Sequence, residues 1–208
     1  MDETSLRERK KRETRARISN VATGLFQARG FDNVTVAEVA EAANVSKMTV
    51  FNYFPRKEEL YFDRGEEALG LLHEAIHDRA PGVSVVDALR ALMLRLLEAR
   101  HPLGGLRDGI TVFWQVVVDS PALQAGLREL VDQLENKLTT EFAATSGAEP
   151  EIAALASALI IATMRTLYQH AMRRLFAGER ADDIYPGQVA LVNRAFDMLD
   201  AAIGDQLG

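Results

Sequence analysis

Two helix starts stand close together in the first third of the chain, and they limit the fold more than any other feature. Thr35 with Glu38 three residues on has the form of a capping box, and Ser46 repeats the start signal after a break at Asn44. Two short helices cross steeply only if their contact residues are small and the turn between them is tight. Ala40 offers only a methyl group at the close approach, Asn44 tolerates the positive φ of a tight turn, Val45 plugs the corner and Ser46 caps the next helix. Val36, Val39, Ala40 and Val50 supply the inward surface. This order of small, turn, apolar and cap predicts a helix-turn-helix at about residues 35–54.

The rest of the chain also carries helical punctuation. Ser5 with Glu8 predicts a first helix, with Ile18, Val21, Ala22, Leu25 and Phe26 as its apolar stripe and Gly30 as its stop. A longer helix is expected over residues 56–79, with Glu58 and Glu59 in its first turn, ahead of a break at Pro81-Gly82. Further helices are expected over 84–100, 106–118, 120–144, 150–177 and 186–203, with a break at 101–105. No strand-like alternation of useful length and no internal repeat is found. The expected fold is all-α with about nine helices: an N-terminal three-helix DNA-binding domain over 1–57 and a larger C-terminal helical bundle over 58–208.

Net charge alone misleads. The chain carries −6, yet residues 1–57 hold 11 Lys/Arg against 7 Asp/Glu, whereas residues 58–208 hold 13 against 23. A basic head on an acidic body suggests that only the head meets a polyanion. Cysteine is absent, which excludes a disulfide framework, a thiolate metal site and a cysteine nucleophile, and fits a reducing cytosol. Residues 1–17 are charged where a signal peptide needs an apolar run, and the oily run 152–164 is shorter than a bilayer span. A soluble, cytoplasmic chain that does not engage membranes is expected.

On the helix after Ser46, a 100° step per residue turns Val50 and Phe54 inward. Met48, Thr49, Asn52 and Tyr53 then face outward, with Lys47 at the exposed start and Phe51 near the boundary. That flank suits a major groove: Lys donates to guanine O6 and N7, Thr bonds base edges or phosphate, and Met touches a thymine methyl. Thr35, Tyr53 and Lys57 lie where they can hold phosphates. The expected DNA-binding set is Thr35, Ser46, Lys47, Met48, Thr49, Asn52, Tyr53 and Lys57. The bland alternative is a helical corner with no DNA role. Seven basic residues over 7–17 reach phosphates or the minor groove, or are simply solvated charge.

At this point the sequence resembles the TetR/AcrR family of bacterial regulators. The family pattern "GF…T…IA..AGVS.GTLY.YF..KEEL" is met by Gly30-Phe31, Thr35, Val39-Ala40, Ala43, Val45-Ser46, Thr49, Tyr53-Phe54 and Lys57-Glu58-Glu59-Leu60 over about residues 12–62. Asn44 stands where a turn glycine is usual, Met48 replaces a frequent glycine and Phe51 replaces a tyrosine. The resemblance implies a homodimer whose last two long helices form a four-helix interface, with small residues such as Ala153, Ala156 and Ser157 allowing close approach. Two-fold symmetry then implies a near-palindromic double-stranded operator. It also implies a repressor released by a small-molecule effector in the C-terminal domain, with the helix expected over 56–79 transmitting the change. Phe113, Trp114, Met164, Arg165, Tyr168 and His170 are the residues expected to line that pocket, Arg165 requiring an anionic partner. A DNA-bound interaction protein without an effector is the alternative. No cofactor is implied.

Residues 73–77 spell HEAIH, a match to the H-E-x-x-H zinc-protease signature. His73 and His77 share a helix face, but catalysis needs a third protein ligand. The extended form of the signature fails at Ala80 and Val83, and Glu98 is a conceivable distant ligand, although a glutamate somewhere downstream is common in helical proteins. A zinc hydrolase is therefore a remote alternative, and neither catalytic residues nor a metal site is expected.

Overall fold

The computed structural model describes residues 3–145 and 147–207, with side chains described for 6–145 and 147–204. Among these residues the chain is all-α, with nine α-helices, two short 3₁₀ turns and no strand. It divides into two compact units: Met1–Arg64 with Val112–Arg128, and Gly65–Thr111 with Glu129–Gly208.

The first unit is built on α1 (Glu3–Arg29), α2 (Val36–Ala42) and α3 (Lys47–Tyr53), followed by a 3₁₀ turn at Glu58–Leu60. α1 already runs from Glu3, and the side chain of Ser5, expected to cap it, lies outside the described residues. Gly30 ends α1 at φ 82°, with its N–H bonded to the Phe26 carbonyl at 2.8 Å. At Thr35 the expected capping box is complete: Thr35 Oγ1 accepts from the Glu38 N–H, and the Glu38 carboxylate accepts from the Thr35 N–H at 2.8 Å. Asn44 adopts φ 51°, the left-handed turn position expected of it. Ser46 Oγ caps α3 by accepting from the Thr49 N–H at 3.0 Å.

Ile18, Ala22 and Phe26 of α1 meet Val39 and Ala40 of α2, Val50 of α3, and Phe54, Leu60 and Tyr61 beyond it in one buried core. Each large side chain removed from water here contributes roughly 1.5–3 kcal/mol. Val116, Val117 and Leu123, from residues far along the chain, close the same core. The unit therefore extends past the boundary expected at residue 57. Leu60 and Tyr61 are fully buried in it, and Tyr61 Oη donates to the Phe113 carbonyl at 2.9 Å. The helix expected over 56–79 is correspondingly broken. Its first residues form the 3₁₀ turn, and α4 starts only at Gly65 and runs to His77.

In the second unit, α4 (Gly65–His77) packs on α5 (Val85–Glu98), and α5 and α8 (Pro150–Phe176) both pack on α9 (Ala181–Leu207). Ser84 caps α5 by accepting from the Asp87 N–H at 3.0 Å. After the second 3₁₀ turn, Pro102–Gly104, the glycine pair at 104–105 is required sterically. A Cβ on Gly104 would lie 2.8 Å from the Leu96 backbone, and one on Gly105 (φ 74°) would lie 2.7 Å from the Tyr168 ring. α6 (Ile110–Asp119) starts later than expected, and α7 is Pro121–Thr145. α9 starts five residues before the expected Pro186, because a proline this early interrupts only one backbone bond, while Ala181 and Ile184 bury against the unit. By length and composition α8 could cross a membrane, with a window of mean hydropathy 1.4, so the oily run is longer than the sequence reading allowed. Its Ala153, Ala156, Ser157 and Ile160 are instead buried, and the helix packs on α9.

Candidate nucleic-acid interface

The reading surface starts from α3. Its seven residues turn only Val50 fully into the core, which commits the opposite flank to solvent. Lys47, Met48 and Asn52 are exposed, Met48 by 69%. Phe51 is 39% exposed, with the Lys47 ammonium 5.8 Å from its ring centroid. An exposed methionine beside an exposed aromatic is costly in plain water and well suited to thymine methyl groups. Thr49 is half-buried, and its hydroxyl pairs with that of Ser46 at 2.8 Å, so the two hydroxyls together hold one proton free for an acceptor.

Three residues expected to touch phosphate have other commitments. Thr35 is exposed, but its hydroxyl donates to Glu38 Oε2 at 2.8 Å. The Glu38 carboxyl is lowered to about 2 from 4.5, first by the Thr35 backbone N–H, then by the Arg29 guanidinium and the Thr35 hydroxyl. Tyr53 is half-buried against the core instead of facing outward, and its carbonyl accepts from Arg15 Nη1 at 2.7 Å. That guanidinium also stacks 4.3 Å from the Phe54 ring centroid, so at least one of the basic residues over 7–17 serves the fold.

Lys57 departs furthest from expectation. Its ammonium donates to the Phe31 carbonyl at 2.6 Å and lies 4.1 Å from the Phe31 ring centroid and 5.5 Å from that of Phe26. Burial lowers its pKa, despite the raising influence of Asp32, Glu58 and Glu38. It clamps the α1–α2 turn to the end of the motif.

The six residues expected to line an effector pocket are divided between the two units. Phe113 and Trp114 belong to the first unit: Phe113 stacks on Tyr61 with centroids 4.2 Å apart and planes 4° off parallel, and Trp114 meets Phe113 edge-on. Met164, Arg165, Tyr168 and His170 lie on α8 in the second unit. Arg165 is exposed, and no ion pair to it is found among the described residues. Tyr168 Oη donates to the Pro102 carbonyl at 3.2 Å. His170 Nδ1 meets the buried Gln188 Oε1 at 2.9 Å, and Gln188 Nε2 donates to the Leu167 carbonyl.

The HEAIH segment lies on α4 as expected, and the structure supplies the third group that was missing from its sequence neighbourhood. Glu141 of α7 places Oε1 3.0 Å from His73 Nδ1 and pairs through Oε2 with His77 Nε2. Glu98 is exposed and takes no part. Only the spacing of His73 and His77 was legible; Glu141 lies 64 residues beyond His77, with nothing local to single it out.

A short, capped, solvent-facing helix set across a second one defines a helix-turn-helix protein. The family model for "Bacterial regulatory proteins, tetR family" matches residues 18–63. Over those residues the chain is similar to the TetR family of bacterial regulators. It is 28% identical over 153 residues to the HTH-type transcriptional regulator TcmR of Streptomyces glaucescens, covering 69% of this chain and 65% of TcmR. To the HTH-type transcriptional regulator AcrR of Shigella flexneri it is 29% identical over 90 residues, covering 42% and 41% of the two chains. The matches thus span less than two thirds of these relatives' lengths. The fold is shared more widely. NalD, the secondary repressor of the MexAB-OprM multidrug efflux pump in Pseudomonas aeruginosa, superposes with TM-score 0.56 at 17% identity, covering 88% of this chain and 97% of NalD. The SmeT–triclosan complex superposes with TM-score 0.55 at 17% identity, covering 91% of each chain.

Proposed function

We propose that the protein is a sequence-specific DNA-binding transcription regulator that reads double-stranded DNA with α3. The observation that carries this reading is the bare flank of Lys47, Met48, Phe51 and Asn52 on a helix whose other side is locked into a core. The DNA contacts are assigned to Lys47, Met48, Thr49 and Asn52, with Ser46 supporting Thr49. The test is selection of bound duplexes from a random pool by the full chain. A defined near-palindromic site whose affinity falls in a Lys47→Ala and Asn52→Ala double variant is expected; enrichment of no sequence sinks the proposal.

The finer reading is a cytoplasmic homodimer acting as a repressor. Supporting the dimer, Leu155 and Leu159 of α8 and Met198 of α9 are exposed, Met198 by 75%, beside exposed Ala201 and Ala202. Helix faces of this kind suit a copy of themselves. Release by a small-molecule effector is the first mechanism to test, because SmeT, of the same fold, forms a complex with triclosan. An effector empties the operator only as far as it prefers the non-binding arrangement. Moving occupancy from nearly full to nearly empty takes a preference of roughly 10⁴, or about 5.5 kcal/mol.

One set of contacts favours the second reading, a DNA-bound interaction protein without an effector. Tyr168 and His170 spend their polar groups on Pro102 and Gln188, and Phe113 and Trp114 belong to the other unit's packing. Thermal-shift screening of the DNA-free chain against small hydrophobic compounds separates the two readings. A zinc hydrolase is tested by a peptidase assay: activity abolished by Glu74→Gln establishes it.

A further inference from the structure

We propose that His73, His77 and Glu141 form a binding site for a divalent transition-metal ion of the zinc class, joining α4 to α7 in the second unit. The argument begins with α4, whose Gly65–His77 span puts residues four apart on one face. The two imidazoles lie with ring centroids 4.2 Å apart, and each directs a nitrogen at the same carboxylate: His73 Nδ1 at Oε1, 3.0 Å away, and His77 Nε2 at Oε2. One potential ligand atom from each residue lies within 4.8 Å of the other two. Zinc–ligand bonds of about 2.0–2.2 Å set neighbouring donors roughly 3.3–3.6 Å apart around a tetrahedron, so small rotamer adjustments close the site.

The donor chemistry agrees. Two imidazoles and one carboxylate form a ligand set typical of zinc, and they leave a fourth position for water. The Glu141 side chain is only 9% exposed, whereas those of His73 and His77 are 52% and 35% exposed, giving an anchored carboxylate under an open approach. The pairing is also redundant without an ion. Lys137 Nζ, one turn before Glu141, already lies 2.7 Å from Oε1, so the carboxylate does not need two histidines to satisfy it. Lys137 is 47% exposed and swings into water when a cation takes its place. This proposal stands apart from the DNA-binding reading and does not depend on it.

The test is equilibrium binding of Zn²⁺ to the chelator-stripped full chain, with Co²⁺ as a spectroscopic substitute. One ion per chain and the strong visible absorption of four-coordinate Co²⁺ are expected. His77→Ala and Glu141→Gln should each weaken binding at least about 100-fold, beyond the losses typical of outer-sphere changes. The more exposed His73→Ala gives a third measurement if either of those fails to fold, and Lys137→Met should tighten binding several-fold by removing the competing cation. Binding that is unchanged in His73→Ala and in either folded variant overturns the site. A Co²⁺ spectrum of six-coordinate intensity, or affinity no better than millimolar, does the same and marks the ion as adventitious.

Discussion

Replacing Lys57 by methionine separates its two possible jobs, because methionine keeps most of the apolar stem and deletes the ammonium. In the structure the ammonium makes a charge-assisted bond to the Phe31 carbonyl at 2.6 Å, an interaction contributing about 1.5–3 kcal/mol. The rings of Phe31 and Phe26, at 4.1 and 5.5 Å, add about 0.5–1 kcal/mol between them. Against this stands the desolvation that lowers the lysine's pKa, relieved when the charge is removed. The net expectation is a loss of about 2 kcal/mol from the first unit, read by urea denaturation followed by circular dichroism. The salt dependence of DNA binding gives the opposing readout. A lysine on a phosphate contributes about 0.9 to the slope of log affinity against log salt, whereas one spent on Phe31 contributes almost nothing. Full stability together with a slope reduced by about 0.9 would refute the structural role and return Lys57 to the DNA surface.

Lys47 should behave in the opposite way: Lys47→Ala leaves stability within about 0.5 kcal/mol and weakens the selected site by about 1–3 kcal/mol in a gel-shift titration. Equal loss on random DNA would make it a phosphate contact only. At φ 51°, Asn44→Ala should cost about 1–2 kcal/mol of unfolding free energy and Asn44→Gly much less, with equal costs contradicting the turn argument. The Glu38 carboxyl is lowered from 4.5 to about 2, so the folded state favours its ionised form. Its contribution is complete above the ordinary value and disappears as pH falls from there through about 2. The stability gap between wild type and Glu38→Gln should therefore narrow across that window, and a gap constant from neutral pH to pH 2 would refute it.

What could be read in advance was written in neighbouring residues. The Thr35–Glu38 box, the left-handed Asn44 and the Ser46 cap each depend on groups within four positions, and all three stand as expected. The inward turn of Val50 and Phe54 followed from helical period alone. Long-range packing was not legible. Periodicity carries residues 56–79 as one helix, but Tyr61 is drawn into the first core by Phe113, 52 residues later, and the helix breaks there. That Phe113 and Trp114 pack against the first core was not legible either, because an aromatic on an apolar stripe does not state which core it fills. That the Lys57 ammonium rests on the Phe31 carbonyl was not legible, because charge suggests exposure, whereas the fold of its neighbours determines where the ammonium lies.

The contribution of Val112–Arg128 to the first core limits how this protein can be taken apart. A fragment ending at Arg64 would contain every residue of the reading motif yet lack Val116, Val117 and Leu123, and its Tyr61 hydroxyl would have no Phe113 carbonyl to meet. Such a cassette, grafted onto another regulator's body, would inherit an open seam beside Tyr61 and fold only if its host offered a matching pair of helices. Recombination between relatives should therefore succeed when the crossover carries 112–128 along with the head, and fail when it cuts cleanly between them.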